Sequence, residues 1–268
     1  MPDAAELKTC CAKLYQSDLA RALLGDSFHP GGEKLTIRLG EHLGLRPGMR
    51  VLDVASGRGE SAILLARHFG CCIVGADFGS ANVKEASLRA AAAGVSDLVS
   101  FVEGDAERLD FAEASFDAVI CECAFCTFPD KAAAASEFAR VVRPGGVLGL
   151  SDLTRSGPLP AELEGLLSWI ACIADARPVD EYVRHLAAAG FGVTGVEPND
   201  SALAEMARDI QGKLLGLELM VKLKKLDLPG ADFDQARALA LAAGKAIQRG
   251  LLGYTLIVAQ CQAARRQA

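Results

Sequence analysis

No apolar run among the 268 residues approaches the roughly 20 needed to cross a bilayer; the longest candidates, "FDAVICECAFCTF" and "GYTLIVAQ", are strand-sized. No membrane span is therefore expected. Basic charge is also short, with 28 Lys and Arg against 34 Asp and Glu, a net charge of −6 and a pI near 5.3. That balance argues against a nucleic-acid backbone as the main partner. The one basic cluster, "VKLKKLDL", reads as the solvated face of a helix. The opening "MPDAAELKTC" lacks the basic-then-apolar order of a secretory signal, so a cytoplasmic location is expected. No internal repeat, low-complexity tract or convincing linker interrupts the chain. Cysteine is plentiful by contrast: Cys10, Cys11, Cys71, Cys72, Cys121, Cys123, Cys126, Cys172 and Cys261. An odd number with two adjacent pairs disfavours a disulfide framework and favours a reducing compartment. Several of these are then expected to be free thiols, buried and inert as such thiols usually are, with Cys71 and Cys72 starting a core strand.

Half the residues are hydrophobic (51%), enough for a sizeable core. From residue 51 the pattern alternates. Strand "VLDVA" precedes helix "GESAILLARHFG", and strand "CCIVGAD" precedes helix "SANVKEASLRAAAAG". "VSFVEGD" and "FDAVICECA" follow as strands, then helix "DKAAAASEFARVV", the turn "RPGG" and strand "VLGLSDL". Helices are expected over 160–189, a short strand at "GVTGVEP", helices over 201–249 split by "LPGADF", and a closing strand "GYTLIVAQC". Before all this, helical spacing in "AELKTCCAKLYQSDLARALLG" is interrupted by "DSFHPGGEKL" and resumes at "TIRLGEHLGL". Such alternation implies an α/β fold, a doubly wound and mostly parallel sheet covered on both faces.

In such sheets ligands bind at the carboxyl ends of the strands, near the switch point. "DVASGRG" sits at such an end. Asp53 supplies an acceptor, while Gly57 and Gly59 let a ligand approach the backbone. With Ala62 as a tolerated third position, the loop alone does not exclude a dinucleotide. Asp77 ends the second strand, where a carboxylate can accept both hydroxyls of a ribose. Asp105 and Ala106 follow the third, where a carboxylate and a backbone N–H can read an adenine edge.

Glycine loop, acid after strand two, "GDA" after strand three, then "FDAV" and "RVVRPGG" in order make a specific set over about residues 49–153. The chain resembles the class I S-adenosylmethionine-dependent methyltransferases. The usual first motif is D-x-G-x-G-x-G, and Ala55 stands here at its first glycine. The resemblance implies a Rossmann-like sheet with an antiparallel last strand. It implies S-adenosylmethionine as cofactor, held by Asp53, Gly57, Gly59, Asp77, Asp105 and Ala106. Residues 1–49 become an N-terminal helical lid, and 50–268 the methyltransferase domain with 201–249 as a late helical insertion.

The sulfonium carries the driving force, so a soft acceptor such as sulfur, selenium or trivalent arsenic needs no base, only something to hold it. "ICECAFC" puts Cys121, Cys123 and Cys126 at the end of the fourth strand, and Cys172 lies in the segment after the fifth. Thiolates suit soft centres. The placement resembles arsenite methyltransferases, which implies that Cys123 and Cys172 hold a trivalent arsenic. The chain departs from that family where Ser56 replaces a first-motif cysteine and where helices 201–249 replace the arsenite-binding end domain. The alternative acceptor is a small organic molecule methylated at carbon, oxygen or nitrogen, as in quinone-biosynthesis relatives, with the cysteines lining an apolar pocket. A non-catalytic nucleotide-binding or nicotinamide-dependent protein is the alternative of another class. No resident metal is expected. His29 is a candidate base or lid contact, Tyr15 a lid contact and Glu122 a residue facing the cofactor. Trp169 is expected to pack the cover over the acceptor, Asp152 stands after the fifth strand, and His42, His68 and His185 read as helix-surface residues.

Overall fold

A computed structural model describes residues 6, 8, 9, 23, 29–164, 172–228 and 232–262. Its seven strands form one sheet in the order β3-β2-β1-β4-β5-β7-β6. They are β1 (Arg50–Val54), β2 (Cys72–Asp77), β3 (Val99–Glu103), β4 (Phe116–Glu122), β5 (Val142–Arg155), β6 (Phe191–Pro198) and β7 (Leu252–Cys261). The first five pair in parallel, whereas β7 runs antiparallel between β5 and β6. Successive strand residues point to opposite faces, so the complete burial of Ala118 through Cys121 means that both faces are covered at β4.

Helices α1 (Gly32–His42) and α2 (Glu60–Phe69) pack on each other, and α3 (Ser80–Ala92) packs on β2 and β3. α4 (Lys131–Val141) is capped by Asp130, whose carboxylate accepts the Ala133 N–H at 2.9 Å, and it packs on α5 (Val179–Ala188). α6 (Asp200–Lys222) and α7 (Phe233–Gln248), in the stretch 201–249 where helices were expected, pack against each other between β6 and β7. Apolar residues around much of α6 suggest more than one packed face. Within this chain, however, Leu215, Leu219 and Leu223 stay exposed.

Several expectations are corrected. "RPGG" lies inside β5, which already pairs through Val142 before a register shift against β4, so these residues form an irregular strand start rather than a turn. Cys72 is exposed because β2 begins with its face to solvent, while Cys71 is buried. Helix α1 starts at Gly32, four residues before the expected resumption at Thr36. Of 160–189 only Val179–Ala188 is α-helical among the described residues. There, tertiary bonds override local periodicity. Lys131, at the start of α4, forms a buried ion pair with Asp175 and donates to the Phe128 carbonyl, and Arg177 pairs with the same carboxylate. Tyr182 accepts the Arg177 N–H at 3.0 Å and donates to the Leu153 carbonyl at 3.0 Å. Residues 172–177 are thereby fastened under the end of β4, and Pro178, the N-cap of α5, opens the helix.

Strand β1 lies between β2 and β4, and from it the chain builds one half of the sheet and then the other. The crevice at its carboxyl end is therefore the topological switch point, where open α/β sheets bind ligands.

Candidate active site

After Val54 the chain turns through Ala55, Gly57 and Gly59, all left-handed with φ of 59°, 53° and 80°. Glycine is the usual residue at such angles, so Ala55 carries a strain of about 1–2 kcal/mol that the usual first glycine of this motif avoids. No atom stands within 4 Å of where a Gly57 β-carbon would be. Gly57 faces open space on the wall of a cavity that Asp53, Ser56, Asp77, Asp105, Ala106 and Cys123 also line. Gly59 is not on that wall. A β-carbon there would stand 2.4 Å from the Phe101 ring, and one at Gly75 would meet the same ring at 2.4 Å. The two glycines make room for Phe101, which locks the loop to β3. Gly59→Ala should therefore cost at least about 2 kcal/mol, left-handed strain plus displacement of the ring, read as a lower urea midpoint at unchanged slope.

Asp77 is held by its own loop. One carboxylate oxygen accepts the Gly57 N–H at 2.8 Å; the other accepts the Gly79 N–H at 2.8 Å and the Asn82 amide at 3.0 Å. Burial raises its pKa, and these bonds oppose that rise. Asp105 accepts the Glu107 N–H at 3.0 Å and meets the Lys8 ammonium at 2.9 and 2.8 Å; Lys8 also reaches Glu107 at 2.5 Å. This clasp, joining residues 97 positions apart, has no signal in sequence spacing. Part of the expected lid, including Tyr15, Cys10 and Cys11, lies outside the described residues, as does Trp169.

Asp53 is 2% exposed, and its Oδ2 finds no hydrogen-bond partner, nor does the Ser56 hydroxyl. Burial, then the charges of Glu122 and Asp77, push the Asp53 pKa well up. A buried carboxylate with an orphaned oxygen on a cavity wall is relieved by a cation. S-adenosylmethionine, with an ammonium and a sulfonium, has that charge, and the open space at Gly57 gives it an approach to backbone. The residues present fit that group.

At the other end of the cavity Glu122 closes β4. It accepts hydrogen bonds from Ser61 at 2.6 Å, Thr36 at 3.0 Å and Ser151 at 3.2 Å, and Tyr254 donates to Ser151 at 2.9 Å. His29 Nε2 lies 3.7 Å from Glu122 and 3.1 Å from the Thr36 hydroxyl, and its Nδ1 lies 3.2 Å from the Pro30 carbonyl. The next residue, Cys123, is left-handed with φ 52°, and Cys172 in the fastened loop has φ 64°. Their sulfurs meet at 3.9 Å, and the Cys172 thiol also lies 3.3 Å from the Cys123 carbonyl. Non-glycine residues seldom hold this conformation, and when they do the surroundings must over-determine it, often at functional sites. The hydrogen bond with Cys172 and burial push the Cys123 pKa well up. Burial first, then contact with Cys172, does the same to Cys126, a neighbour that strand spacing did not single out. Asp152 lies beneath, accepting the Cys126 N–H at 2.9 Å, with burial pushing its pKa up to about 7. Of the remaining histidines, His42 bonds Glu197 at 3.1 Å on the surface and His68 stacks edge-on against Phe69.

Comparison with known proteins bears on the fold and the family. Residues 52–150 match the family model described as a methyltransferase domain. Over 253 residues the chain is 30% identical to methyltransferase GfsG of Streptomyces halstedii, covering 85% of this chain and 91% of that protein. It is 34% identical over 191 residues to the 27-O-demethylrifamycin SV methyltransferase of Amycolatopsis mediterranei, covering 65% of this chain and 70% of that one. Among solved structures the [4+2]-cyclase SpnF superposes with a TM-score of 0.77 at 21% identity, over 94% and 96% of the two chains. The geranyl diphosphate C-methyltransferase of Streptomyces coelicolor does so with 0.69 at 18%, over 97% and 99%. Those two show the fold, which one of them uses for a cyclisation. The sequence relatives carry the family: the chain belongs to the class I S-adenosylmethionine-dependent methyltransferases.

Proposed function

We propose that the chain transfers a methyl group to a soft trivalent centre, with arsenic the concrete case, held by Cys123 and Cys172 beside the cofactor. The observation that carries this reading is the meeting of two left-handed cysteines, 49 residues apart, with sulfurs 3.9 Å from each other and one of them on the cavity wall. Asp53, Gly57, Asp77, Asp105 and Ala106 are the residues we assign to the cofactor, with Gly59 supporting their loop.

Bound S-adenosylmethionine supplies an electrophilic methyl group on a cationic sulfur. The chain's own task is to hold and aim the acceptor. The protonated state of the Cys123 thiol fits this task. Each S–H exchanges for an S–As bond while a hydroxide leaves arsenic as water, so two neutral thiols and neutral arsenous acid give a neutral bis-thiolate and two waters. No net charge is brought among Asp53, Glu122 and Asp152. The lone pair left on arsenic is the nucleophile, and no side chain has to remove a proton from it.

A second reading rests on His29. Its Nδ1–H donating to the Pro30 carbonyl leaves Nε2 as the basic nitrogen, with Glu122 at 3.7 Å to balance an imidazolium. That arrangement suits deprotonation of a hydroxyl on a small organic acceptor. His29→Ala separates the readings: it leaves methyl transfer to arsenite within about threefold and lowers transfer to a hydroxyl by roughly 100-fold.

A further inference from the structure

We propose that the acceptor enters this cavity without a negative charge, so that oxyanions and carboxylate-bearing molecules are excluded and neutral trivalent species are admitted. The substrate class rests on the cysteine reading above; the charge rule rests on the wall itself.

Five carboxylates line the cavity: Asp53, Glu60, Asp77, Asp105 and Glu122. Among the described residues the two permanent cations there are Lys8 and Arg58, and both are spent within the protein. Lys8 sits between Asp105 and Glu107, and Arg58 pairs with Glu85 at 3.3 Å. Glu60 is paired with Arg89, itself not on the wall. Around Cys123 and Cys172 the charged groups are Glu122, with His29 already turned to it, Asp152 beneath, and at the loop of Cys172 the cluster of Lys131, Asp175 and Arg177, whose cations pair with the Asp175 carboxylate. Glu122 takes its hydrogen bonds from hydroxyls, which stabilise its charge without cancelling it. Among the described residues no guanidinium or ammonium is directed at the acceptor end. With S-adenosylhomocysteine bound, which lacks the sulfonium charge, an anionic acceptor would approach Glu122, and Asp152 where it is ionised, with no directed counter-charge from the described residues, at a dielectric well below that of water. A repulsion there is worth at least about tenfold in affinity. A neutral acceptor has no such cost.

The test compares two trivalent arsenicals of matched size, the para-carboxamide and the para-carboxylate of phenylarsine oxide. Each is titrated calorimetrically into the reduced full chain saturated with S-adenosylhomocysteine, with Cys123→Ser run alongside. The expected result is binding of the carboxamide at least about ten times tighter than the carboxylate, a gap that narrows as salt is added, and loss of both on Cys123→Ser. Equal affinities, both lost in Cys123→Ser, overturn the charge rule and leave the cysteine site standing. Binding of neither compound overturns the cysteine reading and this inference with it.

Discussion

Cys123→Ser should lower methyl transfer to arsenite by roughly 100-fold or more while leaving the affinity for S-adenosylmethionine within about twofold. Serine keeps the size and the left-handed backbone but gives a hard oxygen where a soft centre needs sulfur. Cys172→Ser should do the same, with a modest loss of stability because that thiol is 2% exposed and a hydroxyl there adds desolvation. The effects are not additive. One remaining thiol no longer fixes the acceptor, so the double variant should be hardly worse than either single one. Single-turnover formation of S-adenosylhomocysteine, with cofactor affinity measured separately, reads both parts. A drop of only a few-fold in each single variant contradicts the paired role.

A second large effect is pH dependence. Asp152, fully buried, has its pKa pushed up to about 7 by burial, with Cys172 adding to the rise and the Cys126 and Leu153 N–H groups opposing it. Burial, with Glu122 and Asp77, also holds Asp53 well above the usual carboxylate range. Both folded values exceed the unfolded ones, so the folded chain keeps protons that the unfolded chain gives up. Their contribution to stability is complete below the unfolded carboxylate range and is lost as pH rises through the folded values. For Asp152 the window runs from about pH 4 to about 7 and is worth on the order of 4 kcal/mol. Asp152→Asn should flatten the stability profile across that window, whatever it does to stability at any one pH, and urea titrations at pH 4.5, 6 and 7.5 measure it. An unchanged slope in the variant contradicts the assignment. Asp53 adds a signature in the cofactor. A cation binds its ionised form better, so affinity should rise with pH until Asp53 ionises in the free protein, and binding below that point should release a proton.

The sheet was readable because its strands carry short apolar runs that alternate with helix-periodic segments, and parallel strands covered on both faces need little else. That Asp53, Gly57, Asp77, Asp105 and Ala106 share one cavity wall was legible for the same reason: each stands at or just after the end of a strand, a position the alternation itself marks. Gly59 shares the loop yet serves the Phe101 ring, because only the fold says which side of a glycine is empty. Other parts depend on contacts between distant segments. Residues 172–178 fall in a stretch expected to be helical, but the buried Lys131–Asp175 pair and the Tyr182 hydroxyl hold them outside a helix, and neither leaves a periodic mark. The Lys8 clasp on Asp105 and the grouping of His29, Thr36 and Glu122 join residues 97 and 86 apart, beyond the reach of any local pattern.

The most direct test incubates the purified, reduced chain with S-adenosylmethionine, arsenite and a small thiol, and follows S-adenosylhomocysteine together with methylated arsenic. The account predicts that both form in equal amounts, depend on arsenite, and vanish in Cys123→Ser. Tight cofactor binding with no arsenite-dependent turnover would contradict it, leaving the methyltransferase and moving the acceptor to the hydroxyl chemistry of His29 and Glu122.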